Sequence, residues 1–144
     1  MVKLLDDLTG GNLLLWKVVL ASIVFALAGL QVFMAARFYE VSTVPPLSTG
    51  AAARVHRVSG RTAIVLAVLV ALTCIVGPAG PLSPARVLLH SLFGTLVFVL
   101  LAAKFLALKV LPGAGRFLPW IGSGLFLCFG AIWATSVADY VTAR

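Results

Sequence analysis

Acidic side chains are scarce. The 144-residue chain has four Asp and Glu against eleven Lys and Arg. Charged residues make up 10% of it, whereas a soluble domain has about 25%. None of the four carboxylates falls mid-span, which excludes a carboxylate-based proton path. Histidine, cysteine and methionine occur only twice each. Cys74 and Cys128 lack metal-type spacing and read as small core residues. Walker loop, dinucleotide fingerprint, nucleophile elbow and zinc motif are all absent. The cleavable pattern of a secretory signal is also missing, since residues 1–12 carry Asp6 and Asp7 and have no short apolar core. That stretch is expected to be a short surface segment.

Apolar residues are abundant: 62% of the chain, with a mean hydropathy of +1.14. Four runs exceed the roughly 20 residues needed to cross a bilayer. They are expected near Leu13–Arg37, Ala51–Val76, Ser83–Val110 and Phe117–Tyr140. A bilayer core offers no water to backbone groups, so such spans must be helices or a closed barrel. Barrel alternation is absent, which leaves helices. Proline- and glycine-rich breaks separate the runs: Val44–Gly50, Gly77–Pro81 and Leu111–Gly115. Ser48 or Thr49 can cap the second span, and Ser83-Pro84 supplies an N-cap followed by proline at the first helical position. Short connections favour antiparallel neighbours. The expected fold is all-α: an integral membrane, up-down-up-down four-helix bundle over residues 13–144.

The basic residues divide by side. Arg37, Arg54, Arg57, Arg61, Lys104, Lys109 and Arg116 belong to one face of the membrane, and Lys3, Lys17, Arg86 and Arg144 to the other. Seven against four puts the first group in the cytoplasm of a multi-pass cell-membrane protein, with both termini outside. These residues flank hydrophobic helices rather than cover a soluble face, so a nucleic-acid partner is not expected.

Against this background one motif repeats. Val55-His56-Arg57-Val58-Ser59-Gly60 and Leu89-His90-Ser91-Leu92-Phe93-Gly94 both read apolar-His-x-x-x-Gly and contain the only histidines. A histidine on a membrane helix is costly and needs a reason. A glycine four residues on shares its face and leaves bare backbone where a flat macrocycle can lie. The chemistry points to b-type haem, with His56 and His90 as candidate iron ligands beside Gly60 and Gly94. Depth restricts the pairing. His56 lies 23 residues before a turn near Ala79 and His90 lies 11 after it. At 1.5 Å per residue they differ in depth by roughly 18 Å. Axial nitrogens of one iron stand only about 4 Å apart. Within one chain the two histidines therefore cannot share an iron. Arg86, one turn before His90, and Lys104, near the depth of His56, are candidate partners for haem propionates, although basic residues at span ends also snorkel to headgroups. Gln31 and Ser123 are expected to hydrogen-bond between helices. Gly122, Gly124 and Gly130 are expected to permit close packing, and Trp16, Trp120 and Trp133 to serve as interface anchors.

Arg86–Leu106, RVLLHSLFGTLVFVLLAAKFL, resembles a haem-ligating helix of the b561-type cytochromes, and Arg54–Cys74 is similar in style. The whole chain resembles four-helix bacterial membrane proteins related to those cytochromes and to ferric-reductase-like membrane domains. The resemblance implies histidines paired across the bundle. Here spans one and four have none, and Thr73 stands where relatives often place a second histidine, at about the depth of His90. The expected function is a membrane electron-transfer subunit rather than a self-contained enzyme. Its expected partners are lipid, a redox protein, a quinol and a second copy of the chain. The alternative is a haem-free anchor or assembly subunit of a larger redox complex.

Overall fold

The computed structural model describes residues 10–76 and 83–142. Four long helices account for most of them: α1 (Leu13–Phe38), α2 (Thr49–Val76), α3 (Pro84–Lys109) and α4 (Leu118–Thr142), with a 3-10 turn at Ala114–Phe117. No strand occurs among the described residues. The helices hold 25 to 28 residues, so each is about 38–42 Å long. All four are long and apolar enough to cross a bilayer, as in a multi-pass membrane protein. Most of the expected surface segment over residues 1–12, and the turn expected near Ala79, lie outside the described residues.

Local chemistry sets the ends. Helix α1 stops where Glu40 enters the left-handed region at φ 61°, and the amides of Val41 and Ser42 both turn back to the Ala36 carbonyl. The Val44–Pro45 peptide that follows is cis. Ser48 Oγ accepts the Ala51 amide at 3.2 Å and caps α2. Ser83 precedes α3 in an extended conformation, and Pro84 occupies the first turn, where its missing N–H has no helical partner to lose. Gly113, at φ 79°, makes the left-handed step between α3 and the 3-10 turn.

Three of the four neighbouring pairs are packed. Helix α2 lies on α1 through small side chains, with Ala52, Ser59, Ala63 and Ala67 all buried. The α1–α4 contact is aromatic: Phe25 stacks on Phe126 and on Trp133, each at 5.3 Å between ring centroids. Gly130 admits Phe25, since a Cβ there would meet its ring at 3.3 Å, and Gly124 admits Leu100 in the same way. The α3–α4 contact centres on Val97, Leu125 and Cys128. The fourth pair differs from expectation. Helices α2 and α3, adjacent in sequence and expected to lie side by side as a hairpin, make no comparable contact. The order around the bundle is α2–α1–α4–α3, with an open seam between its two ends.

Some expectations of detail need correction. Trp133 is no interface anchor: it stacks inside the bundle and donates its Nε1–H to Ser22 Oγ at 2.9 Å. Trp16 and Trp120 are exposed, as membrane-interface side chains would be. Ser123 is exposed on α4, so it does not join helices as Gln31 does. Nothing lies within 4 Å of a Cβ built at Gly122, so close packing does not require glycine there.

Candidate cofactor cavity

The two copies of the His-x-x-x-Gly motif fold into different surroundings. His56 is part of the α1–α2 contact. Its Nδ1 lies 3.1 Å from the Gln31 carbonyl, and a carbonyl can only accept, so Nδ1 carries the proton. The Gln31 side chain returns the bond, donating from Nε2 to the His56 carbonyl at 2.8 Å and to Ser59 Oγ at 2.6 Å. Ser59 in turn donates to the Val55 carbonyl. Phe38 meets the imidazole edge-on at 5.2 Å. Gly60 makes room for this clamp, since a Cβ there would stand 2.9 Å from Gln31 Oε1. The bare backbone at Gly60 is therefore covered by the Gln31 side chain.

His90 stands instead at a cavity of about 620 Å³ inside the bundle, walled by residues of all four helices. Its Nδ1 lies 3.0 Å from Thr135 Oγ1 on α4. The Thr135 hydroxyl donates its one proton to the Ile132 and Ala131 carbonyls, at 2.8 and 3.0 Å. With the Thr135 proton on a carbonyl, its oxygen can accept from Nδ1–H, and a neutral His90 in that tautomer has Nε2 as its metal-binding nitrogen. Gly94 lines the same cavity, and a Cβ built on it would meet nothing within 4 Å. Arg86 and, from α1, Lys17 put two cations near the end where α3 begins. From Arg86 to Phe98 the lined stretch of α3 rises about 18 Å. The remaining wall is mainly apolar, with Ser91, Thr95, Cys74 and Ser136 as polar exceptions.

The cavity thus collects His90, Gly94 and Arg86, while His56, Gly60 and Lys104 lie off it. Gln31, the partner of His56, is seven residues beyond Val24, the last α1 residue on the cavity wall. That is a rise of about 10 Å. Lys104, half-buried on α3, is within electrostatic reach of His56. Thr73 does not face His90. It bonds to the Val70 carbonyl of its own helix at 2.7 Å, and the α2 wall at this level comes from Val70, Ala71 and Cys74. A one-residue difference turns a helical side chain by about 100°, which counting from the turn does not resolve. Met34 is buried on α1 away from the cavity. Thr135, Lys17 and Cys74 are cavity residues the motif does not reveal. The Thr135-Ser136 pair, two adjacent polar residues in a largely apolar span, is the one signal of the first.

A four-helix membrane bundle with a histidine-bearing cavity that opens at the α2–α3 seam is the class this architecture defines. The chain belongs to the family of unknown function DUF6529, whose model matches residues 7–144. No curated protein and no solved structure matches it.

Proposed function

We propose that the protein is a membrane electron-transfer subunit that holds one b-type haem in the cavity at His90. The observation that carries this reading is His90 itself: an imidazole, the commonest protein ligand of haem iron, on the cavity wall with its Nδ1 bonded to Thr135. The fit of the other residues supports it. A volume of about 620 Å³ lies within the roughly 300–1,000 Å³ of cofactor pockets. Gly94 leaves backbone open beside the imidazole, and the wall is mainly apolar. Arg86 and Lys17 supply positive charge for two propionates. Haem, when bound, supplies one-electron redox chemistry. The protein's part is to ligate, to neutralise charge and to offer the ring an apolar wall. The chain has no flavin or nucleotide motif, so electrons would pass between a quinol and a partner protein's redox centre. The likeness of Arg86–Leu106 to a b561-type helix agrees with this reading and rests on those residues alone.

A pyridine haemochrome assay on the purified protein tests the reading: about one haem per chain supports it, and none overturns it. One observation favours the second reading, a haem-free anchor or assembly subunit: Thr73, in the place of an expected second histidine, turns away from the cavity. The same assay separates the two. Since residue 73 is off the wall, Thr73→His is expected to leave the haem spectrum unchanged; a shift to a six-coordinate low-spin spectrum would place residue 73 at the haem.

The orientation follows from charge. With the Pro45 and Gly113 loops cytoplasmic, Thr49→Cys in a background lacking Cys74 and Cys128 resists an impermeant maleimide added outside, and Ser83→Cys reacts. The reverse pattern inverts the assignment.

A further inference from the structure

The α2–α3 seam at the opposite end of the bundle from Lys17 and Arg86 presents cations on both sides. Arg57 lies 18 residues before Ile75, which is five whole helical turns, so it shares the azimuth of a residue on the cavity wall. Lys104 lies 18 residues after Arg86 and shares its azimuth in the same way. Arg57 therefore lies on the side of α2 that borders the seam, and Lys104 faces the bundle from α3, within electrostatic reach of His56 on α2. Arg54 and Arg61 flank Arg57 at helical spacings of three and four, on the side of α2 away from α1. All three arginines are exposed.

None of these positions is at a helix tip. Arg57 is eight residues inside α2 and Lys104 five inside α3, which is about 12 and 8 Å of rise. A helix of about 40 Å overhangs a 30 Å hydrocarbon layer by only about 5 Å at each end. Cations at this depth snorkel toward the headgroup level or pair with a counter-charge, and either route brings them to an anionic group. Glu40, exposed in the α1–α2 loop, is the one acidic side chain described at this end. The His56–Gln31–Ser59 clamp fixes the rotation of α2, so the stripe cannot turn toward α1.

We infer that the basic end of the α2–α3 seam is a binding site for an anionic phospholipid. Its phosphate lies among Arg57, Arg61 and Lys104, and its acyl chains run down the gap between the two helices. Charge complementarity selects an anionic headgroup, and the unpacked apolar seam selects a ligand with tails. A soluble anion satisfies the first requirement and fails the second. The inference rests on the basic stripe and the open seam and not on His90, although tails running far down the gap reach the cavity mouth.

The test uses full-length protein in nanodiscs of phosphatidylcholine alone and of phosphatidylcholine with phosphatidylglycerol. Native mass spectrometry counts retained lipid, and thermal unfolding measures stability. The anionic lipid is expected to be retained and to raise the Tm, whereas inorganic phosphate does not. Arg57→Gln/Arg61→Gln/Lys104→Gln is expected to weaken retention on the order of a hundredfold, from the contribution of three surface cations. Circular dichroism of the variant checks that it is folded, and Arg116→Gln, on the 3-10 turn, is the charge control and keeps the lipid. Equal Tm in both lipid mixtures, or equal retention by the triple variant, overturns the inference. A dimer that the triple variant disperses assigns the seam to a second copy and also overturns it.

Discussion

His90→Ala is expected to abolish the haem Soret band while leaving a folded, helical protein. The imidazole is half-buried at the cavity wall and bonds to the Thr135 hydroxyl, so its removal enlarges a space that is already open. The loss is one of ligation. Thr135→Val is the graded companion. It keeps the side-chain shape and removes the oxygen that accepts the Nδ1 proton, and the loss of such an orienting partner costs about 10–100-fold in metal affinity. His56→Ala is expected to do the opposite: haem content holds and stability falls, because His56 joins α1 to α2 and does not line the cavity. Haem titration of apo-protein by absorbance, with SDS unfolding on the same samples, reads both quantities. Loss of the Soret band in His56→Ala with stability unchanged would move the site to the other histidine.

The same substitution at the two motif glycines should separate stability from binding. Gly60→Leu drives a side chain into Gln31 Oε1, 2.9 Å from the new Cβ, and pushes apart the bonds to His56 and Ser59. Overpacking of this kind costs about 1–3 kcal/mol. Some of the strain can be relieved if Gln31 swings aside, but its amide then loses both partners in a low-dielectric setting. Gly94→Leu meets nothing within 4 Å and fills part of the cavity instead. Its fold is expected to hold within about 0.5 kcal/mol, as for substitutions away from packed features, while haem binding drops by at least roughly tenfold, or 1.4 kcal/mol. Unfolding midpoints and haem stoichiometry of the two variants are the measurement. Matching behaviour in both would mean that the two motifs share one environment.

Much of the fold was legible because bilayer chemistry is strict. Apolar runs long enough to span, with Pro and Gly between them, allow few alternatives, and the helices begin and end within a few residues of the expected limits. The packing around the bundle was less legible. Chain order suggests that α2 and α3 pack, but the buried alanines of α2 serve α1, and the stacked Phe25, Phe126 and Trp133 tie α1 to α4. The histidines show a similar limit. Two motifs alike in sequence diverge because Gln31 stands opposite one of them, whereas the other faces a cavity. A single strand of sequence cannot say what lies across from a residue. Gln31 was readable as a helix-joining polar group; that His56 and Gly60 were its partners was not. Thr135, which fixes the ring of His90, went unseen for the same reason.

The open seam also bears on how the molecule is made. Helix α2 is held through α1, and α3 through α4, so the bundle consists of two hairpins married along the α1–α4 face. Each hairpin can leave the insertion machinery as a finished pair. The second need only find the first by the flat meeting of Phe25 with Phe126 and Trp133. The cavity has walls from both hairpins, so it exists only where the two pairs meet.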